Sequence, residues 1–140
     1  MNYLLFEIFK NDVKTSLLLF YTLVLTITSS AQTGSFLDRT KLALKSGSSQ
    51  KLSQLMAEKV QMGFEGESAM LTQKDAENKL TNFFKSNIPT DISQLFQGQS
   101  KDGKQYFICK LKSSGGEFRV SVYWSETPRN QMISIDISRE

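Results

Sequence analysis

The 140-residue chain is 39% hydrophobic and 22% charged, ordinary proportions for a globular protein and too apolar for wholesale disorder. It has no histidine and a single cysteine, Cys109, which excludes an intrachain disulfide and any cysteine–histidine zinc site. The net charge of +3 rests on scattered lysines and not on a basic run, the pattern of a solvated surface and not of a nucleic-acid binder.

In chain order, the first feature is an uncharged apolar core from Leu17 to Ile27, preceded by Lys14. It is roughly half the ~20 apolar residues that a membrane-spanning helix needs. Thr28, Ser29 and Ser30 follow, and Ser29 with Ala31 fits the small-x-small pattern of signal peptidase. Residues 1–31 are therefore expected to be a signal peptide cut after Ala31. That leaves 32–140 as one exported α+β domain, periplasmic or secreted, with no stable membrane anchor. No cysteine stands at the cut, so a lipoprotein-type anchor is excluded. Glu7 and Asp12 are foreign to the short positive start of such leaders. Initiation near Val13 instead of Met1 is the alternative, and the mass of the unprocessed precursor distinguishes the two.

Ser35 is placed to cap a helix in which Phe36, Leu37, Thr40, Ala43 and Leu44 recur at helical spacing, and Gly47 can stop it. A short helix is expected after Ser49, with Leu52, Leu55 and Met56 on one side. Val60, Met62 and Phe64 alternate as in a strand, with Gly63 and Gly66 turning its end. Thr72 begins the clearest helix, whose Ala76, Leu80, Phe83 and Phe84 form one stripe. Asp75 and Lys79 are spaced for a pair worth about 0.3 kcal/mol. Asn87-Ile88-Pro89 ends this helix, because the residue before proline avoids helical geometry.

Ile92–Gln99 reads as a strand. Three more follow, separated by Lys101-Asp102-Gly103-Lys104, Gly115-Gly116 and Thr127-Pro128-Arg129-Asn130. Alternation assigns Phe107, Cys109, Leu111, Phe118, Val120, Val122, Trp124, Ile133, Ile135 and Ile137 to an inner face. Tyr106, Ile108, Lys110, Arg119, Ser121, Tyr123, Met132, Ser134 and Asp136 go to the outer face. The apolar inner face needs a cover, and the helical stripes are the available material. The expected fold class is α+β, with helices packed on one face of a curved antiparallel sheet.

This element order resembles the cone of the nuclear transport factor two-like, cystatin-like superfold. Several segments are similar to a narrower group. They are Leu44-Lys45-Ser46-Gly47-Ser48, Phe64-Glu65-Gly66-Glu67, Gln73-Lys74-Asp75-Ala76-Glu77 and Phe83-Phe84, then Gln97-Gly98-Gln99-Ser100, Gly103, Tyr106 and Gly116-Glu117-Phe118-Arg119-Val120. Together they resemble domain of unknown function family 4783, small exported bacterial proteins, over residues 36–140. An aromatic residue expected near Ser68-Ala69-Met70 is absent. The superfold implies an apolar cavity between the longest helix and the concave sheet, in which its enzymes hold an Asp, His or Tyr. Here histidine is excluded and no carboxylate is placed for that role.

Three functional readings follow in order. The first is an exported non-catalytic ligand-binding or accessory module whose apolar pocket is lined by Phe83, Phe107, Cys109, Val120 and Trp124. The second is a protein-interaction or homodimer module using Tyr106, Arg119 and Tyr123 on the outer face, where tyrosine and arginine are enriched in interfaces. The third is a small isomerase- or dehydratase-like enzyme. The expected partner is thus a small apolar ligand or a second copy, not nucleic acid. No catalytic residue, metal site or cofactor is assigned. Cys109, mid-strand between Ile108 and Lys110, reads as a small buried hydrophobe.

Overall fold

Ser35 starts the first helix by a reciprocal cap: its hydroxyl accepts from the Asp38 N–H at 3.1 Å, and the Asp38 carboxylate accepts from the Ser35 N–H at 3.3 Å. A computed structural model describes residues 34–140. The expected signal peptide and its cut after Ala31 lie outside the described residues. Helix α1 (Phe36–Ser46) ends at Gly47, whose φ of 64° closes the last turn onto Ala43 and Leu44. Helix α2 (Ser49–Gln54) is capped by Ser48. Met56, assigned above to a helical side, instead opens strand β1 (Met56–Phe64), and the Met132 N–H donates to the Leu55 carbonyl at 2.7 Å to dock it.

Gly63 lies within β1 and not in its turn. The turn is Glu65-Gly66, with φ of 51° and 88°, the paired positive values of a tight hairpin. Glu65 tolerates that geometry because its N–H donates to Ile137 O and its carboxylate accepts from the Arg139 N–H, both at 3.0 Å. The hairpin leads into a strand not anticipated above, β2 (Glu67–Thr72), which is exposed and lacks a core-building alternation.

Helix α3 (Gln73–Ser86) buries Ala76, Leu80 and Phe84. The expected Asp75–Lys79 pair is replaced: Asp75 takes the Thr72 hydroxyl at 2.8 Å as part of the cap, and the Lys79 ammonium lies 5.5 Å from the Phe64 ring. Strands β3 (Pro89–Gln99), β4 (Gln105–Ser113), β5 (Gly116–Ser125) and β6 (Gln131–Arg139) then run as a meander. The six strands form one curved, open sheet in the order β2-β1-β6-β5-β4-β3. All pairings are antiparallel except β1 with β6, which is parallel.

The inner face holds Phe107, Cys109, Leu111, Phe118, Val120, Val122, Trp124, Ile135 and Ile137, as alternation requires. One position departs. Met132 is fully buried and Ile133 only half-buried, the reverse of the expected sides. The cause is a bulge: Tyr123 pairs with Ser134 but Trp124 with Met132, so Ile133 is an extra residue that inverts the phase beyond it. Helices α1, α2 and α3 supply Phe36, Ala43, Leu44, Leu52, Ala76, Leu80 and Phe84 to the same core.

Candidate functional site

Three regions gather chemistry: one at an end of the core, one between α2 and α3, and one on the outer sheet face. At the first, the N-terminal turn of α1 meets the ends of β4 and β5. A recess of about 330 Å³ opens there, with Phe36, Leu37 and Trp124 on its apolar side and Ser35, Gln97, Gln105, Glu126 and Asn130 making the rest of its wall. Phe36 and Trp124 stack as its floor, ring centroids 5.2 Å apart. Of the residues expected to line an apolar pocket, Trp124 borders this recess. Phe107, Cys109 and Val120 have no accessible surface and are core filling. Phe83 is half-buried among Phe64, Phe84 and Phe118, at 5.6, 5.4 and 4.9 Å. A ligand reaching these four would have to displace packed side chains.

Burial pushes the Cys109 thiol up to about 12, with Lys41 acting weakly against it. At neutral pH the sulfur is therefore a protonated, enclosed thiol and not a nucleophile. Alkylation of the native protein at neutral pH is expected to leave Cys109 unmodified, with full labelling once guanidinium unfolds the chain. Rapid native labelling, read by intact mass, would show that the strand opens.

A second recess, of about 270 Å³, is polar. Gln50, Ser53, Gln73, Lys74 and Glu77 line it between α2 and α3. Ser53 donates to Glu77 at 2.7 Å and Lys74 reaches the other carboxylate oxygen at 3.3 Å. These two donors, Ser53 first, hold the Glu77 carboxyl below its usual range. Glu77 thus stays ionised near neutrality, which suits a structural tie better than a base poised to take a proton.

On the outer face, Tyr106 and Tyr123 sit directly opposite on β4 and β5, rings 5.6 Å apart. Gly98 faces Tyr106 from β3, and a side-chain carbon there would lie 3.0 Å from the tyrosine hydroxyl, so the glycine leaves room for the ring. Phe96, 58% exposed, stands beside Ile108 in the neighbouring row. Arg119 shares the face but is opposite Lys110, two same-face positions from Tyr123, so the three expected interface residues form a pair and an outlier. Lys110 is held by Glu140 at 2.7 Å and Glu117 at 3.3 Å, which raise its affinity for the proton. Phe96 joins the patch because Leu95 is a bulge residue. Gln94 pairs with Cys109 and Phe96 with Ile108, so the phase of β3 shifts by one.

Residues 37–138 match the model of a family described as a domain of unknown function (DUF4783). A DUF4783 family crystal structure from Bacteroides ovatus is 28% identical, with a TM-score of 0.68 over 73% of this chain and 93% of that one. One from Bacteroides fragilis is 24% identical, with the same TM-score over 73% and 96%. An NTF-2 like protein of unknown function from Burkholderia xenovorans is 7% identical, with a TM-score of 0.57 over 75% and 81%, a likeness of fold alone. No curated protein matches the chain.

Proposed function

Because the chain belongs to the DUF4783 family and has a nuclear transport factor two-like fold, we propose that it is an exported, non-catalytic interaction domain that pairs with a second copy through its outer sheet face. The observation that carries this reading is the outer surface of β3 to β5: exposed Phe96 beside half-buried Ile108 and the half-buried, ring-to-ring pair Tyr106 and Tyr123, with no element over them among the described residues. Contiguous exposed apolar patches mark interaction sites. A second copy is the occupant that the charges favour. Arg119 and Asp136 stand on this same face, and neither is ion-paired within the described residues. An isologous contact, in which each copy offers the same patch, supplies each with the other as counter-charge.

The test is sedimentation of the exported, processed protein across a concentration series. A reversible dimer is expected, weakened about thirtyfold or more by Tyr123→Glu, the scale of an interface hot spot. A strict monomer at high micromolar concentration rejects the reading. N-terminal sequencing of the same material checks export, with Gln32 expected first. Full-length protein retained in the cytoplasm contradicts it.

A small ligand is the second reading, one with an apolar part for Phe36 and Trp124 and a polar part for the rim of Gln97, Gln105, Glu126 and Asn130 in the recess beside Trp124. Trp124 is the only tryptophan in the chain, so its emission reports entry of a ligand directly. The enzyme reading has the least support: the thiol is protonated and Glu77 is tied to Ser53 and Lys74.

A further inference from the structure

The geometry points to a separate docking site at the edge of the sheet: we propose that the second half of β3 accepts an extended, uncharged segment of a partner protein as an added strand. Among the described residues β3 is the outermost strand on its side and pairs only with β4. Among the described residues none of its backbone groups bonds to any other element. A strand in that position presents an unpaired row of N–H and C=O groups at the repeat of an extended chain, and another extended main chain is what complements it.

Edges are normally blunted by shortness, proline, charge or bulges. The other edge, β2, is short and carries Glu67. The first half of β3 is blunted too, with Pro89, Asp91 and a break in register between them. The stretch from Ile92 to Gln99 has no charged side chain, and past the Leu95 bulge the register with β4 is unbroken from Phe96 to Gln99. The unprotected length is therefore the second half.

The same half adjoins the recess at Trp124. Gln97 is opposite Phe107 and so belongs to the inner side, where it forms a wall of that recess. Directly opposed residues on neighbouring strands point to the same face. The residue of an added strand opposite Gln97 would thus send its side chain toward Phe36, Leu37 and Trp124, where an apolar group would meet the two rings inside a polar rim of Gln105, Glu126 and Asn130. Its neighbours would point outward beside Phe96 and Gly98. Just beyond the strand, Asp102 pairs with Lys104 at 2.8 Å, and Lys101 has no ion-pair partner among the described residues. An acidic residue next to the uncharged segment, outside the added strand, would meet it. A second copy is a poorer occupant, because edge-to-edge pairing would bring two Leu95 bulges into one ladder.

The experiment pans a random twelve-residue peptide library on phage against the exported, processed protein. Enriched peptides are expected to alternate apolar and polar residues around one large apolar side chain. A synthetic copy should slow amide exchange within Ile92–Gln99 about tenfold or more. Leu95→Lys combined with Gln97→Lys, both at exposed positions, should weaken that peptide about tenfold or more with an unchanged melting temperature. Tyr123→Glu should leave peptide binding intact, which separates this site from the outer-face dimer. The proposal is overturned if no peptide enriches, if the enriched peptide protects other amides, or if the double lysine variant abolishes a dimer instead of peptide binding.

Discussion

Replacing Leu80 with alanine is expected to destabilise the domain by about 2–5 kcal/mol, the range for deleting a buried leucine side chain. Leu80 is the middle of the α3 stripe, with Ala76 one turn before it and Phe84 one turn after, and it has no accessible surface. Its loss empties space that the neighbours cannot refill, because the stripe is held against the sheet at both ends. Thr72 caps the start of α3, and Asn87 closes its end with both its backbone and its side-chain N–H on the Phe83 carbonyl. A domain of this size loses about 4 °C of melting temperature per kcal/mol. The midpoint should therefore fall by roughly 8–20 °C. A shift of less than about 3 °C would mean that α3 is not a fixed layer of the core.

The second large effect is expected at Phe118, where alanine should remove about 3–5 kcal/mol. Phe118 is 2% exposed, and Phe83 meets its ring edge-on at 4.9 Å, with planes at 80°. The Arg139 guanidinium lies 4.8 Å from the same ring and donates to Gly115 O, so the ring also seats the end of β6. A double-mutant cycle with Phe83→Ala should show coupling of about 0.5–1.5 kcal/mol, the worth of an edge-on aromatic pair beyond its buried area. Strict additivity would refute direct stacking. The cycle also bears on function. A Phe83 that serves packing moves stability, whereas a Phe83 that serves a ligand moves binding.

The helices were readable from residues whose message is local. Ser35, Gly47 and Thr72 cap or stop their helices by bonds to atoms at most four positions away, and the Ala76-Leu80-Phe84 spacing needs no tertiary knowledge. The inner face of β4 and β5 was equally plain, because Phe107 to Leu111 and Phe118 to Trp124 alternate without interruption. What escaped was set by partners distant in sequence. Leu95 and Ile133 are unremarkable residues in their own strands, and they become bulges only because β4 and β5 impose a register on them. Each shifts a side chain to the other face: Phe96 outward, Met132 inward. The outer-face patch was therefore half legible, with Tyr106 and Tyr123 visible and Phe96 hidden. β2 escaped for a related reason. Glu67–Thr72 lies at an edge and gives the core only the half-buried Leu71, while Met70 on its other side is exposed.

The parallel seam between β1 and β6 carries a consequence for how the chain reaches its shape. Every hairpin of the meander can close on neighbours a few residues away, but Glu65 meets Arg139 across a separation of 74 residues. Contacts this remote are slow to form, since the chain between them must first surrender its freedom. A chain emerging N-terminus first delivers β1 early and its seam partner last. Until β6 arrives, β1 can pair only with β2, and the row Met62, Gly63 and Phe64 waits for Ile135, Asp136 and Ile137. Assembly of this sheet thus waits on β6, which closes the seam after the other five described strands have been made.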